Sequence, residues 1–154
     1  MVCQAILKAY GGRLFTDTGN DGDAVLCFTL PSVKPNSVLI VDDDPDTADL
    51  YRRYLQNGNY DVKVMHSSEN VPASLGGRIP DLILLDVLMP HRDGWKLLQW
   101  LKTVAETKDI PVVICSVLSQ PHLALALGAA QVLHKPIARE ELLQAVQNHL
   151  HRAS

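Results

Sequence analysis

A chain of 154 residues is about one domain's worth of sequence, long enough to bury a core of its own. With 47% apolar and 20% charged residues and a net charge of −3 without a basic run, it offers neither nucleic acid nor an anionic membrane an electrostatic hold. Three widely spaced cysteines without a CxxC pair, no signal-peptide pattern, and apolar stretches far short of the ~20 residues that cross a bilayer indicate a cytoplasmic protein with no membrane segment.

Residues 2–10 have helical periodicity and stop at Gly11-Gly12. Residues 13–18 and 24–30 read as strands joined by the turn Gly19-Asn20-Asp21-Gly22-Asp23. A Pro/Ser/Asn stretch at 31–37 reads as a linker, so the chain divides into an extension, 1–35, and a domain, 36–152.

In the second part, the continuous apolar run Val38-Leu39-Ile40-Val41 ends in Asp42-Asp43-Asp44. A helix follows over 45–57, with Ala48, Leu50, Tyr51, Tyr54 and Leu55 available for its buried stripe and Gly58 as its stop. Residues 60–65 alternate, as a strand nearer an edge does, and a weak helix lies at 71–75. The run 81–86 ends in Asp86, and the loop from Val87 to Gly94 leads into a helix carrying Trp95, Leu97, Leu98, Leu101 and Val104. Residues 111–115 form the next strand, ending at Ser116. A short helix at 121–127 follows, whose apolar run 124–127 is read as core packing in preference to part of a partner surface. Residues 132–134 lead to Lys135-Pro136, and the last helix covers 139–149.

Runs apolar on successive residues are strands covered on both faces. Strand–helix alternation repeated five times predicts a doubly wound α/β fold, a five-stranded parallel sheet with right-handed crossovers. Ligands then bind beyond the carboxyl ends of the strands, where Asp42, Asp43, Asp86, Ser116 and Lys135 converge. Two carboxylates ~4 Å apart repel by roughly 4 kcal/mol at an effective dielectric of about 20. Such a cluster calls for a hard divalent cation with oxygen ligands, Mg²⁺ above all. Taken singly, Asp44 and Asp93 are helix caps.

Val38-Leu39-Ile40-Val41-Asp42-Asp43-Asp44, Leu84-Leu85-Asp86-Val87-Leu88-Met89-Pro90-His91-Arg92-Asp93-Gly94, Ser116, Gly128-Ala129 and Lys135-Pro136 together resemble the signature of the response-regulator receiver family of two-component signalling. The resemblance implies a flavodoxin-like (βα)₅ fold and a phosphoacceptor rather than an enzyme, with Asp86 taking a phosphoryl group from a phosphohistidine. It implies Mg²⁺ held by Asp43, Asp86 and the backbone carbonyl of Leu88, with Asp42 binding directly or through water. Lys135 and Ser116 would bind the phosphoryl oxygens. The implied partners are a histidine kinase or histidine phosphotransfer protein and a downstream signalling protein; a homodimer is a further expectation.

Three positions depart from the family's pattern. Val132 stands where an aromatic switch residue is usual, which leaves room for a receiver fold kept only as an interaction module. Leu88 and Leu118 occupy positions that help set the rate of dephosphorylation, and neither can orient water. A competing class, the haloacid-dehalogenase-like phosphohydrolases, matches only two acids in Asp42-Asp43-Asp44-Pro45-Asp46 and lacks a cap-sized insertion.

The phrase Ala9-Tyr10-Gly11-Gly12-Arg13-Leu14, two strands, and Phe28-Thr29-Leu30-Pro31 resemble the end of a histidine-kinase ATP-binding domain, as in a hybrid histidine kinase. The nucleotide-binding boxes are missing, so no nucleotide-binding residue is assigned. The apolar side chains Leu26, Phe28 and Leu30 of this hairpin must pack somewhere, and the alternatives are that the hairpin lies on the second part of the chain, pairs with another copy, or stays mobile.

Overall fold

The computed structural model describes residues 5, 13–18, 22–29, 34–90, 92–118 and 120–150. The expected helix at 2–10 lies outside these apart from Ala5, as does His91. The chain divides into two compact units, Met1–Lys34 and Pro35–Ser154.

In the first unit, β1 (Arg13–Thr18) and β2 (Ala24–Thr29) pair antiparallel with Leu14 opposite Phe28 and Thr16 opposite Leu26. Phe15, Val25, Leu26 and Phe28 are exposed.

The second unit contains a five-stranded parallel sheet. Its strands are β3 (Asn36–Val41), β4 (Tyr60–Met65), β5 (Leu82–Leu85), β8 (Val112–Ser116) and β9 (Gln131–His134), in the order β4-β3-β5-β8-β9. The flavodoxin-like α/β reading is therefore correct. Between β5 and β8 a two-residue ladder joins β6 (Leu88–Met89) to β7 (Arg92–Asp93). The helices are α1 (Pro45–Leu55), α2 (Val71–Leu75), α3 (Gly94–Thr103), α4 (Pro121–Ala126) and α5 (Arg139–Leu150).

Period-2 geometry sorts the apolar runs onto two faces. Leu39, Val41, Ile83, Leu85, Val112 and Ile114 pack with Val71 and Leu75 of α2, Leu97, Leu98 and Leu101 of α3, and Ala124 of α4. Val38, Ile40, Leu82, Leu84, Val113 and Cys115 pack against Ala48, Tyr51 and Leu55 of α1 and Leu142, Ala145 and Val146 of α5. Each buried Leu or Ile contributes roughly 1.5–3 kcal/mol by leaving water, which is why runs rather than alternations mark these strands. Cys115 is one of these core side chains, and burial pushes its thiol far up, so it behaves as a small hydrophobe. β4 lies at the sheet edge with Asp61 and Lys63 exposed, as its alternating pattern requires.

Two side chains fall outside the expected core. Leu50 lies on the solvent side of α1, because Ala48, Tyr51 and Leu55 already complete the inward stripe. In the run 124–127 only Ala124 is buried, and Leu125 is 51% exposed. This helix is barely two turns long and presents one narrow face to the sheet. It ends at Gly128, whose φ of +97° lets the Ala129 N–H cap the Ala124 carbonyl at 2.9 Å.

No helix among the described residues is long and apolar enough to cross a membrane.

Candidate functional site

The sheet order creates the site. β3 continues through α1 to β4 on one side, whereas β5 pairs with β3 on the other, so a crevice opens beyond the carboxyl ends of β3 and β5. Main-chain hydrogen bonds run past the strand ends: Asp42 N–H donates to Met65 O at 3.1 Å and Asp86 N–H to Val41 O at 2.9 Å. Two acids 44 positions apart in sequence thereby become neighbours.

One carboxylate oxygen from each of Asp42, Asp43 and Asp86 lies within 4.8 Å of the others. Asp42 and Asp86 are buried and Asp43 half-buried. Each pair of charges at that spacing repels by roughly 3–4 kcal/mol at an effective dielectric of about 20.

Lys135 partly neutralises the cluster. Its Nζ donates to Asp42 Oδ2 at 2.7 Å and to Asp86 Oδ2 at 2.8 Å. Burial works against its ammonium, but the hydrogen bonds and charges of the two acids together hold its pKa above that of an ordinary lysine. Burial raises the Asp42 carboxyl above the usual range, against the opposing pull of Lys135 and of the Asp44 N–H at 3.0 Å. Asp86 Oδ1 is held by the Leu88 N–H at 2.8 Å. With one ammonium against three carboxylates, the donor set is hard, oxygen-only and short of positive charge, and it fits Mg²⁺.

Ser116 ends β8 fully buried, and its Oγ accepts the Leu118 N–H at 3.2 Å. Its carbonyl accepts the Lys135 N–H at 3.0 Å, so the fourth and fifth strands are tied at the crevice. The Lys135–Pro136 peptide bond is cis. Val132 is half-buried on β9, against the core layer that includes Ala124 and Ala129. Leu88 is 39% exposed beside Asp86.

Asp44 and Asp93 are helix caps. Asp44 accepts from the Asp46 N–H and the Thr47 hydroxyl at the start of α1, and Asp93 accepts from the Lys96 N–H at 3.2 Å at the start of α3.

Two supports escaped sequence reasoning. His66 donates from Nδ1 to the Asp42 main-chain oxygen at 3.0 Å, backing the first acidic loop. A lone histidine after an alternating strand carries no signal of this. The second is Gly94, where an added methyl group would lie 2.6 Å from Val87 Cα and 2.7 Å from the Asp86 carbonyl oxygen. Backbone cannot yield as a side-chain tip does. Gly94→Ala is therefore expected to cost about 1–3 kcal/mol of stability, read as a lower urea midpoint; an unchanged midpoint would show that the loop has slack.

A family model described as the response regulator receiver domain matches residues 38–147. The DNA-binding dual master transcriptional regulator RpaA of Synechocystis sp. is 36% identical over 118 residues, covering 75% of this chain and 49% of that protein. The chain spans about half the length of the first curated relatives it matches. Among solved structures, the receiver domain of a signal transduction histidine kinase from Syntrophus aciditrophicus matches with TM-score 0.71 and 31% identity, over 77% of this chain and 92% of that one. The chemotaxis response regulator CheY4 of Vibrio cholerae matches with TM-score 0.70 and 26% identity, over 75% of this chain and 99% of that one.

Proposed function

This chain belongs to the family of response regulator receiver domains, and from that premise we propose that it is a phosphoacceptor in a two-component phosphorelay, with Asp86 as the acceptor. The observation that carries the reading is the convergence of Asp42, Asp43, Asp86 and Lys135 on one crevice.

An oxygen of Asp86 attacks the phosphorus of a partner's phosphohistidine. The new O–P bond forms as the P–N bond breaks, and the imidazole leaves with the electron pair. Asp43, Asp86 and the Leu88 carbonyl would hold Mg²⁺, with Asp42 binding directly or through water. Bound there, the ion would neutralise charge on the carboxylates and the phosphoryl oxygens. Lys135 already lies on Asp86 Oδ2, so its ammonium is in place to follow charge from carboxylate to phosphoryl group. The Leu88 N–H on Oδ1 fixes the rotation of the carboxylate.

Transfer adds ~1.5 to 2 negative charges beside Ser116. The Ser116 hydroxyl, now satisfied by Leu118, can exchange that partner for a phosphoryl oxygen and draw the loop after β8 inward. Val132 cannot swing as an aromatic residue would, so the outward signal is carried by this loop. The proposed partners are a histidine kinase or histidine phosphotransfer protein upstream and a signalling protein downstream, in the cytoplasm. Residues 1–35 are proposed to derive from the end of a hybrid kinase's ATP-binding domain, without nucleotide binding.

Incubation with acetyl phosphate and Mg²⁺, followed by intact mass measurement, should add one phosphoryl group, with none added in EDTA. No added mass under either condition would refute the reading and favour an interaction module. The phosphorylated form should also be long-lived, because neither Leu88 nor Leu118 can orient an attacking water. A half-life of seconds in Mg²⁺, without a phosphatase, would contradict this.

A further inference from the structure

The β1–β2 hairpin poses a problem that the receiver chemistry leaves unsolved. Among the described residues β1 pairs only with β2, and an isolated two-stranded hairpin is marginal in water. Its apolar side chains are exposed on both faces: Leu26 and Phe28 on one, Phe15 and Val25 on the other. Among the described residues no strand pairs with the outer edge of β1, whose backbone groups are of the kind that another strand can take up.

The sequence of β1, Arg13-Leu14-Phe15-Thr16-Asp17-Thr18, has a property its neighbour lacks. Laid antiparallel on a second copy of itself with Phe15 opposite Phe15, it sets Arg13 of each copy opposite Asp17 of the other, and Leu14 opposite Thr16. Arg13, Phe15 and Asp17 share one face of the strand. The two-fold axis would thus pass between two phenyl rings flanked by two charge-complementary pairs. β2, Ala24-Val25-Leu26-Cys27-Phe28-Thr29, carries no charge and so specifies no register for self-pairing. A shift of β1 by two residues in either direction loses both ion pairs, so one register stands out.

We propose that the outer edge of β1 is an interface for a second copy of this chain, forming a four-stranded sheet β2-β1-β1-β2 across a two-fold axis. Pairing of a strand with itself in antiparallel sense is necessarily symmetric, and it closes at two copies because each uses the same edge. A receiver domain would then stand in each half of the dimer.

The test is sedimentation of the full chain over a range of concentrations, with a charge-swap series. Wild type should reach a dimer. Arg13→Asp sets two aspartates face to face and Asp17→Arg two arginines, and each single change should weaken the dimer by about tenfold or more. The double variant, Arg13→Asp with Asp17→Arg, restores opposite charges in the same register and should restore dimerisation. A chain monomeric at every concentration would overturn the proposal. So would a dimer indifferent to both single reversals, or a double variant no better than the singles. Acetyl phosphate labelling of the same variants should be unchanged, which separates failure of this interface from failure of the phosphoacceptor reading.

Discussion

Asp86→Asn is expected to abolish phosphoryl uptake: no added mass after incubation with acetyl phosphate and Mg²⁺, under conditions that label the wild type. The substitution keeps the shape of the side chain and one oxygen for the Leu88 N–H, but it replaces the carboxylate proposed as the nucleophile with a neutral amide. Of the three acids, Asp86 alone is proposed to attack phosphorus, so its loss should leave the pocket without an acceptor. The fold should survive. Asp86→Asn removes one of three clustered negative charges, so its urea midpoint at low Mg²⁺ should equal or exceed that of wild type. Labelling that persists in this variant would move the acceptor to another residue.

The second large effect is expected from Lys135→Ala. Removing the ammonium leaves Asp42 and Asp86, both buried, facing one another unpaired. Breaking a buried pair in this way costs about 3–5 kcal/mol. The pH dependence follows from Asp42, whose carboxyl burial already raises above its unfolded value. The folded state then holds this proton to higher pH than the unfolded state does. Ionised Asp42 therefore subtracts from stability at neutral pH, and acidification through the folded pKa removes that penalty. Without Lys135 the carboxyl loses its main opposing influence and the penalty grows. The gap between wild type and Lys135→Ala should be widest at neutral pH in EDTA and narrow both with acidification and with added Mg²⁺. Denaturant titrations at two pH values, with and without the ion, would check this; equal stability under all four conditions would show that the pairing contributes nothing.

Much of this arrangement is written in local patterns. The strands β3, β5 and β8 are uninterrupted apolar runs because helices cover both faces, and each run ends abruptly in a polar residue that the topology delivers to one edge. Asp42, Asp43, Asp86, Ser116 and Lys135 could therefore be picked out before their distances were known. The caps Asp44 and Asp93 were legible for the same reason, since an acid before a helical stripe has one common use.

Other features had no local signature. His66 supports Asp42 through a bond to a main-chain oxygen 24 positions away, which no spacing encodes. The β6–β7 ladder is two residues on each side of Pro90-His91, too short to establish a period. Leu50 and Leu125 fit the apolar stripes of their helices as well as their buried neighbours do. Only the depth of each helix against the sheet decides that they face water. The closeness of Gly94 to the Asp86–Val87 backbone likewise depends on how α3 enters the crevice.

The hydrogen bonds of Lys135 span 93 positions to Asp42 and 49 to Asp86. The basic partner of the acids thus arrives with the last strand, when nearly all of the sheet is already laid down. A nascent or clipped polypeptide that stops before Lys135 would bring the acids together without their counter-charge. The charge balance of the proposed acceptor pocket is therefore reached only once the final βα unit has docked.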